Sequence, residues 1–193
     1  MHAATNKSLS IQLAALQQHL RAAPEVWQAI EAASSLLPGS YVAGGAITQT
    51  IWNQTVSRPA TDRLRDVDVI YFDGHGTLES QRTTERDLQR EITSGMPIDL
   101  TNEALTHTWY ESKFGSPIKP YRSAEEAINT WLPAFAVGVR LLDTECEIYA
   151  PYGLNDLFAM HIRPNKMQIS NAIYERMVGS FTARWPEATA EVW

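Results

Sequence analysis

The sequence predicts an α+β fold in which a small mixed β-sheet is flanked by helices. Short apolar segments with the two-residue alternation of strands are interspersed with longer segments of helical periodicity. The segments follow the order helices, strand, helix, strand, helix, strand, helix, hairpin, helices, with too few strand–helix–strand units for a full doubly wound sheet. The length of 193 residues is sufficient for one domain over 1–193 with a sizeable core.

The composition is that of a globular protein, with 44% hydrophobic and 20% charged residues. The net charge of −6 argues against broad, nonspecific nucleic-acid binding, which requires a cationic face. Cys146 is the single cysteine, so the sequence offers neither a disulfide framework nor a thiolate metal cluster. Neither a signal-peptide pattern nor a run of about 18 apolar residues is present, so a cytoplasmic location is expected.

Two amphipathic helices are predicted at the start of the chain. Leucines recur at spacings of four, three and four residues from Leu9 to Leu20, which is typical of a helix with one buried face. Pro24 suits the first turn of a second helix that closes at Pro38-Gly39. These helices are expected to serve packing.

A glycine pair separates the first predicted strand, 41–43, from a helix over 46–56. Strand, two glycines and helix form an arrangement that lets a phosphate approach the backbone, because free N–H groups and the positive helix end both favour an anion. On the residues alone, a tight turn at Gly44 and Gly45 without a ligand remains an alternative.

The segment 65–73 predicts a second strand with paired acids. Asp66 and Asp68 share a face of this strand, about 6.6 Å apart. Two carboxylates about 4 Å apart near a surface repel by roughly 4 kcal/mol. Water, a basic partner, a shared proton or a divalent metal would offset the repulsion, and a solvated acid pair is the simplest alternative. Asp99 lies on a third predicted strand, 96–101.

The remaining segments complete the predicted architecture. They are a solvated helix over 79–94, a helix from the capping box at Ser123 to Trp131, a hairpin joining 136–142 to 147–150 through Asp143-Thr144, a short helix after the candidate caps Asn155 and Asp156, and a last helix over 173–185.

A second motif follows the acidic strand. Asp73-Gly74-His75-Gly76-Thr77-Leu78 resembles the first motif of haloacid-dehalogenase-type phosphatases, in which Asp73 would be the nucleophile. His75 stands where that family has its second Asp. A turn histidine after a strand is the simpler interpretation, and the phosphatase remains a minor alternative.

Taken together, Gly44-Gly45, Asp66-x-Asp68 and Asp99 resemble the nucleotidyltransferases of the DNA polymerase β superfamily. The chain is more closely similar to a bacterial group of nucleotidyltransferase family proteins, and the resemblance extends over most of its length. It implies a polymerase β-like nucleotidyltransferase core with helical N- and C-terminal additions.

The resemblance also implies roles for single residues. Gly44 and Gly45 would hold the β- and γ-phosphates of a nucleoside triphosphate such as ATP. Asp66, Asp68 and Asp99 would be the catalytic residues and would bind two Mg²⁺ ions, or Mn²⁺. Asp99 would help to deprotonate the acceptor. A nucleoside monophosphate would then pass to a hydroxyl of a small molecule, protein or RNA, and pyrophosphate would leave.

Further contacts with the nucleotide are expected outside the acids. Thr48 stands where many relatives have Arg or Ser after the glycines, and with Arg65 it is assigned to nucleotide binding. Arg140 and Arg163 are other sources of positive charge for phosphate, with a carboxylate or surface partner as the alternative for each.

Two aromatic residues complete the predicted site. His107 and Trp109 are candidates for a base or acceptor pocket, since aromatic faces stack on bases, with core packing as the alternative. The second functional hypothesis is a catalytically idle nucleotide-binding or regulatory module that keeps the fold without turnover. The sequence does not indicate the acceptor, the base preference or the oligomeric state.

Overall fold

The computed structural model describes residues 2–193, which form eight α-helices and seven β-strands. The helices are α1 (Leu9–Arg21), α2 (Pro24–Leu36), α3 (Gly45–Thr55), α4 (Leu78–Glu91), α5 (Thr106–Phe114), α6 (Ala124–Ile128), α7 (Asn155–Ala159) and α8 (Asn171–Arg184). The strands are β1 (Tyr41–Ala43), β2 (Val67–Tyr71), β3 (Ile98–Asn102), β4 (Gly138–Leu142), β5 (Glu145–Tyr149), β6 (His161–Ile162) and β7 (Thr189–Ala190). The predicted α+β fold is confirmed.

The main sheet is mixed, as predicted. Its strand order is β3-β2-β1-β4-β5, in which β2 and β3 are parallel and the other neighbours are antiparallel. The parallel pair is joined by α4, because parallel neighbours require a crossover connection. Strands β6 and β7 form a separate parallel pair. The turn Asp143-Thr144 closes the predicted β4–β5 hairpin, and Asp143 has a φ of 53°.

The two faces of β2 meet different surroundings. Val67, Val69 and Tyr71 belong to the main core, which also contains buried residues of α1 and α2 such as Leu16 and Ile30. Because side chains alternate along a strand, Asp68 and Ile70 point to the opposite face. The acidic strand residue is thus directed away from the main core.

A second core anchors the last helix. Trp52 of α3 and Trp185 after α8 are both fully buried, with ring centroids 5.4 Å apart and planes at 80°. Their indole N–H groups donate to the Leu157 carbonyl at 2.9 Å and to Asn53 Oδ1 at 3.0 Å. Since buried indoles need such partners, the pair fixes α8 against the helix that begins at Gly45.

Some local predictions need correction. Asn155 and Asp156 lie in the first turn of α7 and do not cap it; Asn155 Oδ1 accepts the Asn6 N–H at 2.8 Å, and Asp156 pairs with Arg163. Ser123 does cap α6, accepting the Glu126 N–H at 3.2 Å. That helix ends at Ile128, three residues before the predicted end.

Helix α5 was not predicted, because its sequence lacks a clear apolar stripe. Its first residue, Thr106, follows a short 3₁₀ turn over Glu103–Leu105 directly after β3. Among residues 2–193, no helix combines the length and apolar character needed to cross a bilayer.

Candidate active site

Strands β2 and β3 bring Asp68 and Asp99 side by side. The two residues are partners in the parallel register of these strands, and neighbouring strands lie about 4.8 Å apart. Asp68 is half-buried and Asp99 is exposed. Both line the same cavity. Two residues far apart in the sequence therefore present carboxylates to one space.

The charge of Asp68 is poorly tolerated in the protein without a bound cation. Burial, together with the nearby charges of Asp66 and Asp99, raises the pKa of the Asp68 carboxyl to about 7. Lys113 and a backbone hydrogen bond from Ala46 act in the opposite direction. At neutral pH the site therefore favours a proton or a cation.

The glycine turn lies directly against Asp68. Gly44 has a φ of 60° and a ψ of −122°, and its N–H donates to the Val137 carbonyl at 2.9 Å. Helix α3 begins at Gly45, where an added Cβ would lie 3.0 Å from Gln49 Nε2 and 3.3 Å from Asp68 Oδ2. A side chain at position 45 would thus fill the space between the helix N-terminus and the acid.

A cavity of about 400 Å³ extends from this turn. Gly44, Gly45, Asp68 and Asp99 line one end, and aromatic side chains from α5, α8 and the segment after α6 line the rest. Such a volume, mostly apolar with a few polar groups, is typical of a small-molecule site.

Lys113 supplies positive charge inside the cavity. It lines the wall from α5, and its Nζ lies 5.4 Å from the centroid of the Trp109 ring. Its charge lowers the pKa of Asp68, which places it within electrostatic range of the acid. Lys113 can therefore face either the acids or a bound anion.

A second group of cations lies beside α3. Arg184 Nη1 donates to Gln49 Oε1 at 3.0 Å. Burial lowers the pKa of Arg184, and the neighbouring charges of Arg65 and Arg63 lower it further. Three guanidinium groups held near one another favour an anionic partner, and guanidinium pairs well with phosphate.

The structure brings only some of the predicted site residues to the cavity. Asp66 precedes β2, is half-buried and affects Asp68, but it does not line the cavity. Arg65 is exposed near Arg184. Thr48 is fully buried, and its hydroxyl donates to the Ala134 carbonyl at 2.8 Å, so the structure does not bring it to the cavity.

The fit to a metal rests on the chemistry of the carboxylates. Within residues 2–193, no group of three or more His, Cys, Asp or Glu side chains is close enough to hold a metal ion. Mg²⁺, however, is usually bound through one or two carboxylates together with water and substrate phosphates. Asp68 and Asp99 can provide such hard oxygen ligands, because they are register partners and line the same cavity.

Two of the candidate arginines pair with carboxylates. Arg140 Nη2 lies 2.8 Å from Glu147 Oε1, and its guanidinium packs over the Tyr41 ring. Arg163 Nη2 lies 2.7 Å from Asp156 Oδ2. Neither lines the cavity, in keeping with the carboxylate alternative.

The segment after β2 forms a turn outside the cavity. The N–H of His75 donates to Asp73 Oδ1, and the N–H of Asp73 donates to Asn102 Oδ1, both at 2.9 Å. Asp73 and His75 are exposed. Trp109 lines the cavity, whereas the half-buried His107 does not.

Sequence reasoning missed several residues around the cavity. Lys113, Arg184 and Gln49 lie on helices, where no spacing distinguished them from surface residues. Burial raises the pKa of Glu85 on α4, and the charge of Asp99 raises it further, which adds another acid near β3. Glu103 on the cavity wall is only 5% exposed. The sequence signal available for Glu103 was an acidic residue shortly after the third predicted strand.

Comparisons with known proteins agree with this geometry. A family model described as nucleotidyltransferase matches residues 31–190. A solved structure entitled "The NMR structure of the protein reveals a CCA-adding enzyme head domain" superposes with a TM-score of 0.74 at 23% identity, covering 92% of this chain and 95% of that one. No curated protein matches the chain. At that identity, the structural likeness indicates a shared fold.

Proposed function

Since the chain belongs to the nucleotidyltransferase family, we propose that it transfers a nucleoside monophosphate from a nucleoside triphosphate to a hydroxyl acceptor in a reaction that depends on a divalent metal. The observation that carries this proposal is the register pairing of Asp68 with Asp99 beside the Gly44-Gly45 turn. This arrangement would join a cation site to a phosphate site.

The triphosphate would bind along the start of α3. Backbone N–H groups at a helix N-terminus favour phosphate oxygens, and the absence of a side chain at Gly45 leaves space next to Asp68. Arg184 and Arg65 would contribute positive charge from the side of Gln49. Lys113 would contribute positive charge from α5.

Asp68 and Asp99, together with the substrate phosphates and with Asp66 nearby, would hold Mg²⁺ or Mn²⁺, which would stabilise the attacking and leaving oxygens of an in-line displacement. The acceptor hydroxyl oxygen would bond to the α-phosphorus, and the bond from that phosphorus to the bridging oxygen would break. Pyrophosphate would carry away the electron pair, and the hydroxyl proton would pass to Asp99. The charge that makes Asp68 unfavourable alone is what suits it to this task.

The direct test is a screen of the four nucleoside triphosphates with Mg²⁺ or Mn²⁺ for pyrophosphate release, in the presence of a mixed set of hydroxyl compounds. Metal-dependent release that is lost in Asp68→Asn is expected. Binding of a triphosphate with metal but no release with any acceptor would instead support the idle module. Release of inorganic phosphate that depends on Asp73 would support the phosphatase.

A further inference from the structure

Glu103 is a buried acid that the proposed transfer does not use. We propose that the aromatic end of the cavity binds an organic ammonium group with Glu103 as its counter-ion. This inference rests on the proposed function, because the ammonium group would belong to the hydroxyl acceptor. The substrate class would then be cationic hydroxyl compounds.

The carboxylate of Glu103 is only partly satisfied. Its side chain lines the cavity at 5% exposure, and Thr106 Oγ1 donates to its Oε2 at 2.7 Å. Among the residues that the structure describes, no hydrogen bond or ion pair reaches its Oε1. Because Oε1 is not fully enclosed by protein, it opens onto the cavity and can accept a bond from a bound cationic group.

Burial raises the pKa of Glu103 to about 7, and only the Thr106 hydroxyl opposes the shift. The cation already in the cavity, Lys113, affects Asp68 and not Glu103. Its ammonium group lies near the rings of Trp109 and Phe114, at 5.4 and 5.5 Å from their centroids. The cavity therefore has a carboxylate without its own counter-ion.

The cavity that Glu103 lines also has several aromatic side chains on its wall. Trp109, Tyr110, Phe114 and Tyr121 line the cavity together with Glu103. Aromatic faces attract ammonium groups, more strongly where water is excluded, and Lys113 already lies over two of these rings. A buried carboxylate and aromatic faces in one cavity form a combination that can recognise an organic cation.

Glu103 directly follows β3, the strand that carries Asp99. Asp99, Thr101 and Glu103 alternate along one side of the chain and all line the cavity. Two strand residues span about 6.6 Å, so Glu103 lies no more than roughly 13 Å along the chain from Asp99. An acceptor could thus present its hydroxyl at Asp99 and its ammonium group at Glu103.

The test measures binding without turnover. Choline and its uncharged isostere 3,3-dimethylbutan-1-ol are titrated calorimetrically into the wild-type protein, Glu103→Gln and the control Glu111→Gln, which alters an exposed acid on the same helix as Trp109. Choline is expected to bind at least 10-fold more tightly than the isostere. Glu103→Gln should weaken choline at least 10-fold, and Glu111→Gln should leave it unchanged.

Equal binding of the two probes, or unchanged choline affinity in Glu103→Gln, would overturn the inference. So would displacement of choline by a free nucleoside in the absence of metal, because that result assigns the aromatic end to the nucleobase. Circular dichroism and melting of Glu103→Gln verify that the variant folds, and the isosteric amide preserves the shape of the side chain.

A separate titration distinguishes this inference from the proposed function. A non-hydrolysable triphosphate analogue with Mn²⁺ should bind the wild-type protein and Glu103→Gln equally. Failure of the analogue to bind either protein, with choline still bound through Glu103, would remove the transferase proposal and the acceptor role of the cation together. The cation site itself would stand on the choline result alone.

Discussion

Asp68 and Asp99 are direct register partners on two parallel strands, although 30 residues of chain separate them. Asp68 in addition lies against Gly45 at the start of α3. One carboxylate thus belongs to both halves of the site, the acidic pair and the glycine turn.

Replacing Asp68 should remove activity without weakening the fold. Asp68→Asn is expected to reduce metal-dependent pyrophosphate release by roughly 100-fold or more, as for loss of a preorganised charge at a reacting centre. The unfolding free energy at pH 8 without metal should not fall, because the amide removes a charge that burial penalises. A release assay and urea unfolding measure the two effects.

The matched control is Asp73→Asn, which alters the exposed acid of the turn after β2. It should leave pyrophosphate release within about twofold of wild type, because Asp73 does not line the cavity. Unchanged activity in Asp68→Asn together with lost activity in Asp73→Asn would reverse the assignment of the site.

A side chain at position 45 should interfere with triphosphate binding. Gly45→Ala places a Cβ 3.0 Å from Gln49 Nε2 and 3.3 Å from Asp68 Oδ2. The fold should tolerate it, since alanine favours helix over glycine by about 1 kcal/mol and the Gln49 side chain can move. We expect an increase in KM for the triphosphate, measured by steady-state kinetics, with an unchanged melting temperature. An unaltered KM would show that the phosphates lie elsewhere.

Arg184 should contribute to triphosphate affinity. Arg184→Met keeps an unbranched side chain but removes the guanidinium, which lies over Phe181 and Trp185 and donates to Gln49. The expected result is about a tenfold increase in the Kd of a triphosphate analogue, which corresponds to about 1.4 kcal/mol. Arg176→Met, an exposed change on the same helix, should have no effect; equal losses in both variants would point to helix α8 as a whole.

The stability of the protein should depend on pH through Glu103. Burial raises the pKa of Glu103 from 4.5 to about 7, so the folded state holds a proton that the unfolded state releases. The unfolding free energy should therefore fall as pH rises from about 4.5 to about 7 and level off above, by about 3 kcal/mol at 1.4 kcal/mol per pKa unit.

Glu103→Gln should remove this part of the pH dependence, and the control Glu111→Gln should not. Urea unfolding at intervals between pH 4.5 and 8 supplies the curves for all three proteins. Curves that run parallel for wild type and Glu103→Gln would show that the Glu103 carboxyl titrates normally.

The sequence predicted the parts of the fold that depend on local pattern. Regular leucine spacing and Pro24 gave α1 and α2, and strand alternation placed Asp68 on the face opposite Val67 and Val69. Helix α5 was missed because its residues lack an apolar stripe. Its aromatic residues line the cavity and do not pack into a hydrophobic core.

The candidate site was predicted only in part, for a related reason. Gly45, Asp68 and Asp99 follow motif spacing, which a sequence displays directly. Lys113 and Arg184 reach the region from helices remote in the chain, and only tertiary packing determines that. Thr48 followed the glycines in the sequence, yet the turn of α3 directs it to the Ala134 carbonyl.

The width of the cavity depends on the contact between Trp52 of α3 and Trp185 after the last helix. Ile173, Met177 and Phe181 form part of its wall, yet the helix that carries them is attached to α3 through Trp52 and Trp185, with Phe181 stacked on Phe135. Loosening of the contact between the two indoles would let α8 move and widen the cavity, while Asp68 and Asp99 stayed in place on β2 and β3. Mutations of packing residues such as Trp52 and Trp185 can therefore alter which substrates the protein accepts, although these residues do not contact the substrate.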